Sequence, residues 1–114
     1  MAVMDIRRGD IYMADISIEG SIDKHRPVLV IQNDAGNKYA GHTIVAAIRH
    51  DTDKQLRVHV YIPKGIAELK KHSVVDCGHI ATISKDILKQ FIGHLPKQYM
   101  KQVDEALKTS LQIN

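Results

Sequence analysis

At 114 residues the chain falls within the usual size of one domain and is long enough to bury one core. Apolar residues make up 44% and charged residues 25%, a globular balance that excludes a disordered chain. The formal net charge of +3 and a pI near 9.0 permit an anionic partner without demanding one, and seven histidines make the charge sensitive to mild acid.

Along the chain, "DIYMADIS" follows the Gly9–Asp10 turn signal and predicts a first strand. "SIEGSIDKH" is a loop leading to Arg26, and Pro27 suits a strand's first residue, where a missing N–H does no harm. "VLVIQ" does not alternate and reads as a strand buried on both faces. "NDAGNKYAGH" predicts a loop, and "TIVAAIR" a third strand. After the turn "HDTDK", "QLRVHVYIP" alternates, with Leu56, Val58, Val60 and Ile62 on one face and Arg57, His59 and Tyr61 on the other. "KGIAELKKH" is a helical turn or a loop, and "SVVDCGHIATI" gives one or two short strands broken near Gly78.

Helices come last. Ser84 is placed to N-cap "KDILKQFI", with Ile87, Leu88, Phe91 and Ile92 on its apolar side and Gly93 at its end. Pro96 suits a first helical residue, and Tyr99, Met100, Val103, Ala106, Leu107 and Leu111 form a stripe at helical spacing. Lys101–Glu105 and Asp104–Lys108 are spaced to pair on the outer face of that helix. Five or six strands followed by helices predict a single α+β domain over residues 1–114, a compact antiparallel sheet or small barrel with a C-terminal helix. Strand and helix do not alternate and no glycine-rich phosphate loop is present, so a doubly wound nucleotide fold is disfavoured.

The single cysteine, Cys77, excludes an intrachain disulfide, and without Cys-x-x-Cys there is no zinc ribbon. The N-terminus has early charge and no apolar h-region, and no apolar run approaches a membrane span. A soluble cytoplasmic protein, with no membrane partner, is the expectation.

Arg26 leads the residues that can carry chemistry, because a guanidinium keeps its charge and presents a rigid fork of donors to a phosphate. On spacing alone, a solvated hairpin arginine is the more ordinary reading. Cys77 and His79 would share a face of a regular strand, as a nucleophile and base or as half of a metal site. A small buried thiol is the more ordinary state of such a cysteine. His79 alone suits a general acid or base. The turn from Arg49 to Lys54 and the patch Lys70–His72 have the composition of solvated segments as well as of binding loops. With aromatics at 4%, no stacking platform for a single strand is visible.

The segments "RRGDIYMADIS", "RPVLVIQND", "GNKYAGHTIVAAI" and "VDEALKTSL" together resemble toxins of the MazF/PemK family, in order and spacing, over nearly the whole chain. The resemblance implies a barrel-like sheet of the kind shared with the gyrase poison CcdB, a C-terminal helix and a two-fold homodimer. It implies a bacterial cytoplasmic endoribonuclease that cuts single-stranded RNA at a sequence motif without metal or other cofactor. A cognate, MazE-like antitoxin would wrap the toxin and block its RNA groove. The substrate's own 2′-hydroxyl attacks the adjacent phosphate in this chemistry, so the protein need only orient it, move protons and stabilise charge.

Arg26 matches the active-site arginine of the family's "RPVLV" motif. Two departures stand beside it. The family's "AAIT" threonine is replaced by Arg49, and its "CDQPRTI" segment reads "CGHIATI", with Gly78 and Ala81 at the acidic and basic positions and His79 where glutamine is usual. Arg26, Arg49 and His79 are therefore the expected catalytic residues, with His79 or His50 in place of the lost proton-transfer group. Ser21, Lys24 and His25 before Pro27, Gln32 after the strand, His50 and Thr52 in the turn, and His59 are the expected RNA contacts. The alternative is a same-fold binding protein with weak or lost catalysis, directed at RNA or antitoxin or acting as a CcdB-like topoisomerase poison.

Overall fold

The computed structural model describes residues 5–17, 25–50 and 56–113, and the expected contacts Ser21, Lys24 and Thr52 lie outside them. The strands are β1 (Asp10–Asp15), β2 (His25–Val30), β3 (His42–Arg49), β4 (His59–Ile62), β5 (Ser73–Ser84) and β6 (Leu88–His94), with helices α1 (Asp34–Tyr39) and α2 (Lys97–Leu111). All six strands pair antiparallel in one sheet of order β4-β5-β3-β2-β1-β6.

The non-alternating run of β2 has the two-faced burial it predicts. Leu29 joins Ile11, Ala46, Ile48, Val60, Ile62, Val75 and Cys77 in a cluster that α2 covers with Met100, Val103 and Ala106. Val28 and Val30 point the other way, into a cluster with Ile6, Tyr12, Ala14, Val45, Ile83 and Leu88. Each strand residue thus belongs to one of two cores according to its parity. Pro27 is the third residue of β2, not its first. It pairs with Met13 of β1, while the ladder to β3 begins one residue later at Val28.

Two segments differ from their predicted form. Residues 33–42 contain α1 where a loop was expected. Asn33 caps it by accepting from the Gly36 N–H at 2.8 Å, and Asp34 sits in its first turn. The buried Asn37 then locks the helix to the sheet. Its Nδ2 donates to the Gln32 carbonyl at 2.9 Å, and its Oδ1 accepts from Thr43 Oγ1 at 2.6 Å and Gln32 Nε2 at 3.1 Å. Lys85 Nζ donates to the Asn37 carbonyl.

The predicted helix over "KDILKQFI" is instead a short 3-10 turn, Lys85–Ile87, capped by Ser84, followed by β6. Its apolar spacing does suit a helix, but β1 offers an open edge that only a strand can satisfy. β6 fills it, pairing Asp10 with His94, Ile11 with Gly93 and Tyr12 with Phe91. Phe91, exposed on this strand, packs edge-on against Tyr12 with ring centroids 5.4 Å apart. Gly93 does not end a helix. It lets β6 pass the 3-10 turn Ile66–Glu68, where a Cβ would lie 2.3 Å from the Ala67 carbonyl oxygen.

α2 follows its predicted stripe from Tyr99 to Leu107, while Leu111 is exposed, and Pro96 is its N-cap rather than its first residue. The outer ion pairs also differ. Asp104 binds Arg8 at 2.7 Å and Lys108 binds Glu105 at 3.3 Å. Arg8 Nε also donates to the Ile31 carbonyl at 2.8 Å, so one side chain joins α2 to the exit of β2. β4 is shorter than its alternating pattern, and Leu56 lies exposed before it. Among the described residues no helix is long and apolar enough to cross a membrane.

Asn37→Ala is expected to lower unfolding free energy by about 2–3 kcal/mol, because Thr43 and Gln32 keep buried donors with no acceptor. Urea denaturation of the two proteins would measure it, and a change below about 0.5 kcal/mol would show that the network is dispensable.

Candidate functional site

The site is made by an irregularity in β5. Against β3, Ala47 pairs with Asp76 but Ala46 pairs with Ile80, so Cys77, Gly78 and His79 are extra residues on the β5 side. Such a bulge breaks the regular alternation of faces. Cys77 turns into the core under α2, with its Sγ 4.0 Å from the Val103 carbonyl. His79 turns to the other face, where it lines a shallow depression of about 170 Å³ with Ile16, Ser17, Val28, Val45, Ala47 and Ala81. Cys77 and His79 therefore do not share a face, contrary to the expectation for a regular strand. A nucleophile–base pair is not formed. Burial, with the Asp76 carboxylate adding to it, pushes the Cys77 thiol up to about 12, so it stays protonated at neutral pH.

Asp76 is the centre of the polar site, and no sequence motif had marked it. It is only 4% exposed. Its Oδ2 stands 2.8 Å from His79 Nδ1 and 3.1 Å from Arg49 Nε. The arginine contact is ionic, without the alignment of a hydrogen bond. Its Oδ1 accepts from the Gly78 N–H at 2.9 Å and faces His59 Nε2 at 3.5 Å. β3, β4 and the bulge thus each bring a group to one carboxylate. The warning sign in the sequence is simple. An aspartate between Val74, Val75 and Cys77, in a strand expected to be buried, must be paired with something.

Arg49 and His79, two of the expected catalytic residues, meet on Asp76. Arg26 occupies the same face by alternation from Val28, and pairs with Ala14 across the β1–β2 ladder. Continuing the Val28–Ala47 register by two residues places Arg26 opposite Arg49. His79 is half-exposed, and with Nδ1 on Asp76 its Nε2 is the nitrogen left for a substrate.

The expected RNA contacts divide. His59 is nearly buried. Its Nδ1 accepts from the Leu56 N–H at 3.3 Å, which leaves Nε2–H to face Asp76. Gln32 is buried and committed to Asn37 and the His42 carbonyl, a bracket for α1 rather than a surface. His25 alternates to the face opposite Arg26 and binds Asp15 at 2.8 Å. His50 is exposed where β3 ends. Among the described residues no three His, Cys, Asp or Glu side chains gather as a metal site would require.

Comparison with known proteins gives the same picture at the level of the whole chain. A family described as the PemK-like, MazF-like toxins of type II toxin–antitoxin systems matches residues 7–111. The chain is 45% identical over 112 residues to an endoribonuclease MazF of Staphylococcus epidermidis, covering 96% of this chain and 93% of that protein. An endoribonuclease from a mycobacterial species, solved in complex with its cognate antitoxin, superposes with a TM-score of 0.82 at 22% identity, over 96% of this chain and 97% of that one. MazF from a MazE–MazF complex of Deinococcus radiodurans superposes with a TM-score of 0.78 at 16% identity, over 98% and 100%. At those identities the two structures establish the six-stranded fold with its C-terminal helix. The extent of the family match and the 45% identity establish more: the chain belongs to the PemK-like, MazF-like toxins of type II toxin–antitoxin systems.

Proposed function

We propose that the protein is an endoribonuclease toxin that cuts single-stranded RNA at a short sequence motif, in the bacterial cytoplasm and without a metal ion. It would act as a two-fold dimer that a cognate antitoxin neutralises. The observation that carries the reading is the meeting of Arg49 and His79 on one carboxylate, beside a depression on Arg26's face, in a chain 45% identical to a MazF endoribonuclease.

The chemistry that fits begins with the RNA's 2′-hydroxyl attacking the adjacent phosphorus. The bond from phosphorus to the 5′-oxygen breaks, leaving a 2′,3′-cyclic phosphate and a free 5′-hydroxyl. One proton leaves the 2′-oxygen and one reaches the 5′-oxygen. His79 Nε2 is the group placed to move a proton, since Asp76 holds the other ring nitrogen. Arg26 and Arg49 offer fixed positive charge to the phosphorane, where a positioned donor is worth most. The apolar residues Val28, Val45, Ala47 and Ala81 line the depression beside His79.

Arg26→Ala is expected to reduce kcat on a mixed-sequence single-stranded RNA roughly 10²–10³-fold, with RNA still bound and wild-type cleavage unaffected by chelator. Cuts mapped to one motif, with cyclic-phosphate ends, would support the reading. RNA bound but uncut by wild type would favour a same-fold binding protein instead. Cys77→Ala should leave the cleavage rate unchanged within about twofold, because its thiol is buried and protonated. A large loss of kcat in that variant would point to thiol chemistry.

A further inference from the structure

We propose that Asp76 is a positioning residue of the ribonuclease site, acting through both His79 and Arg49. The inference rests on the ribonuclease reading and adds to it a residue outside the family's motif positions. Its starting point is that His79, although within β5, sits in the bulge, where it has no pairing partner in β3. Residues 77–79 lie outside the β3 ladder, and the ring is half-exposed, so the backbone alone leaves its rotation open. The 2.8 Å contact from Nδ1 to Asp76 Oδ2 supplies the missing constraint. A carboxylate there favours the proton on Nδ1, which leaves Nε2 as the nitrogen that exchanges a proton with substrate.

The same oxygen holds Arg49 by Nε at 3.1 Å. That leaves the two terminal nitrogens at the far end of the fork, and these are the atoms that suit a phosphate. Among the described residues, Asp76 is met by Arg49 from β3, His59 from β4 and His79 from the bulge, with the Gly78 N–H beside them. A buried carboxylate whose only role was to fill β5 would be replaceable by an apolar residue, as at its neighbours Val74 and Val75. Asp76 instead turns Oδ2 to both Arg49 and His79, while Oδ1 accepts from the Gly78 N–H and faces His59.

Gly78 belongs to the same device. A Cβ there would lie 3.1 Å from Asp76 Oδ1 and 3.3 Å from Val58 Cγ2, so a side chain at this position crowds the carboxylate. The acid that the family pattern places at residue 78 is therefore incompatible with the one this chain carries at 76 unless a neighbour shifts. Arg49, Asp76, Gly78 and His79 form one arrangement, in which each residue accommodates the others.

The test uses the full chain and an RNA oligonucleotide built on the mapped cleavage motif. Wild type, Asp76→Asn, His79→Gln, the double variant and Arg26→Ala are compared for kcat, KM and pH–rate profile. Asparagine keeps the shape and one acceptor, so the fold is expected to survive, as circular dichroism and RNA binding would check. Asp76→Asn should lower kcat roughly 10²–10³-fold with KM changed by less than about threefold. The double variant should lose no more than about tenfold beyond His79→Gln, because most of the effect passes through the imidazole. The limb of the pH profile that disappears with His79→Gln should be altered in Asp76→Asn as well.

Nitrogen NMR of the wild-type protein gives a second readout that needs no variant: neutral His79 should carry its proton on Nδ1. Asp76→Asn retaining kcat within about threefold while Arg26→Ala is inactive would overturn the positioning role and leave the ribonuclease reading intact. Fully additive losses in the double variant, or the Nε2–H tautomer in wild type, would overturn it too. Wild type that cleaves no RNA would overturn both.

Discussion

The polar half of this molecule depends on three extra residues in β5. A regular strand in place of the bulge would keep Cys77 and His79 on one face and would leave Asp76 opposite Ala47 with nothing from its own strand to meet it. The bulge separates the two. Cys77 keeps the face of Val75 under α2, while the imidazole swings back over Asp76, so a single backbone irregularity turns a core strand into the wall of the candidate site. β5 can carry this distortion because it is held on both sides. Its pairing with β3 resumes at Ile80, and β4 pairs with it from Ser73 to Asp76.

Charge is then placed where the sheet can tolerate it. Burying one carboxylate under a basic site costs desolvation that only close partners offset, and Asp76 has a guanidinium, two imidazoles and a backbone N–H. Arg49 gains in return. The Asp76 carboxylate stands 3.1 Å from the Arg49 Nε, which offsets the cost of holding a guanidinium in a partly buried place. α2 covers the other face, and on this one the buried Val28, Val45 and Ala47 line the depression with His79. Two cores of opposite parity therefore serve different ends, one holding the helix and the other carrying the site.

Much of the scaffold was legible in the sequence, since β-branched runs such as "VLVIQ" and "TIVAAIR" and the stripe from Tyr99 to Leu107 carry a period that one local element satisfies. What escaped depends on partners distant in the chain. "KDILKQFI" has helical spacing, and only the open edge of β1, some eighty residues away, makes it a strand. "NDAGNKY" has loop composition, and its helix exists because Asn37 reaches Gln32 and Thr43. Arg26 was legible through a motif, and Arg49 and His79 through departures from one. Asp76 was not, because its place in the site is set by a bulge that leaves no periodic trace.

Read one at a time, Arg49 for threonine, Gly78 for an acid and Ala81 for a base look like a site being dismantled. Their geometry argues otherwise. Random loss would leave a buried carboxylate unpaired, or a cation with nothing beside it, and both are costly. Here a carboxylate stands at residue 76, Gly78 leaves room for it and donates to its Oδ1, and His79 and Arg49 both meet its Oδ2. Ala81 fits the same account, since a small side chain there becomes part of the floor beneath His79. Mutual accommodation among four residues drawn from two strands is what a rebuilt site requires. If, as proposed, the RNA supplies its own nucleophile, the protein's share of the reaction would be a proton carrier and fixed positive charge, which one sheet can hold at different positions without a change of fold.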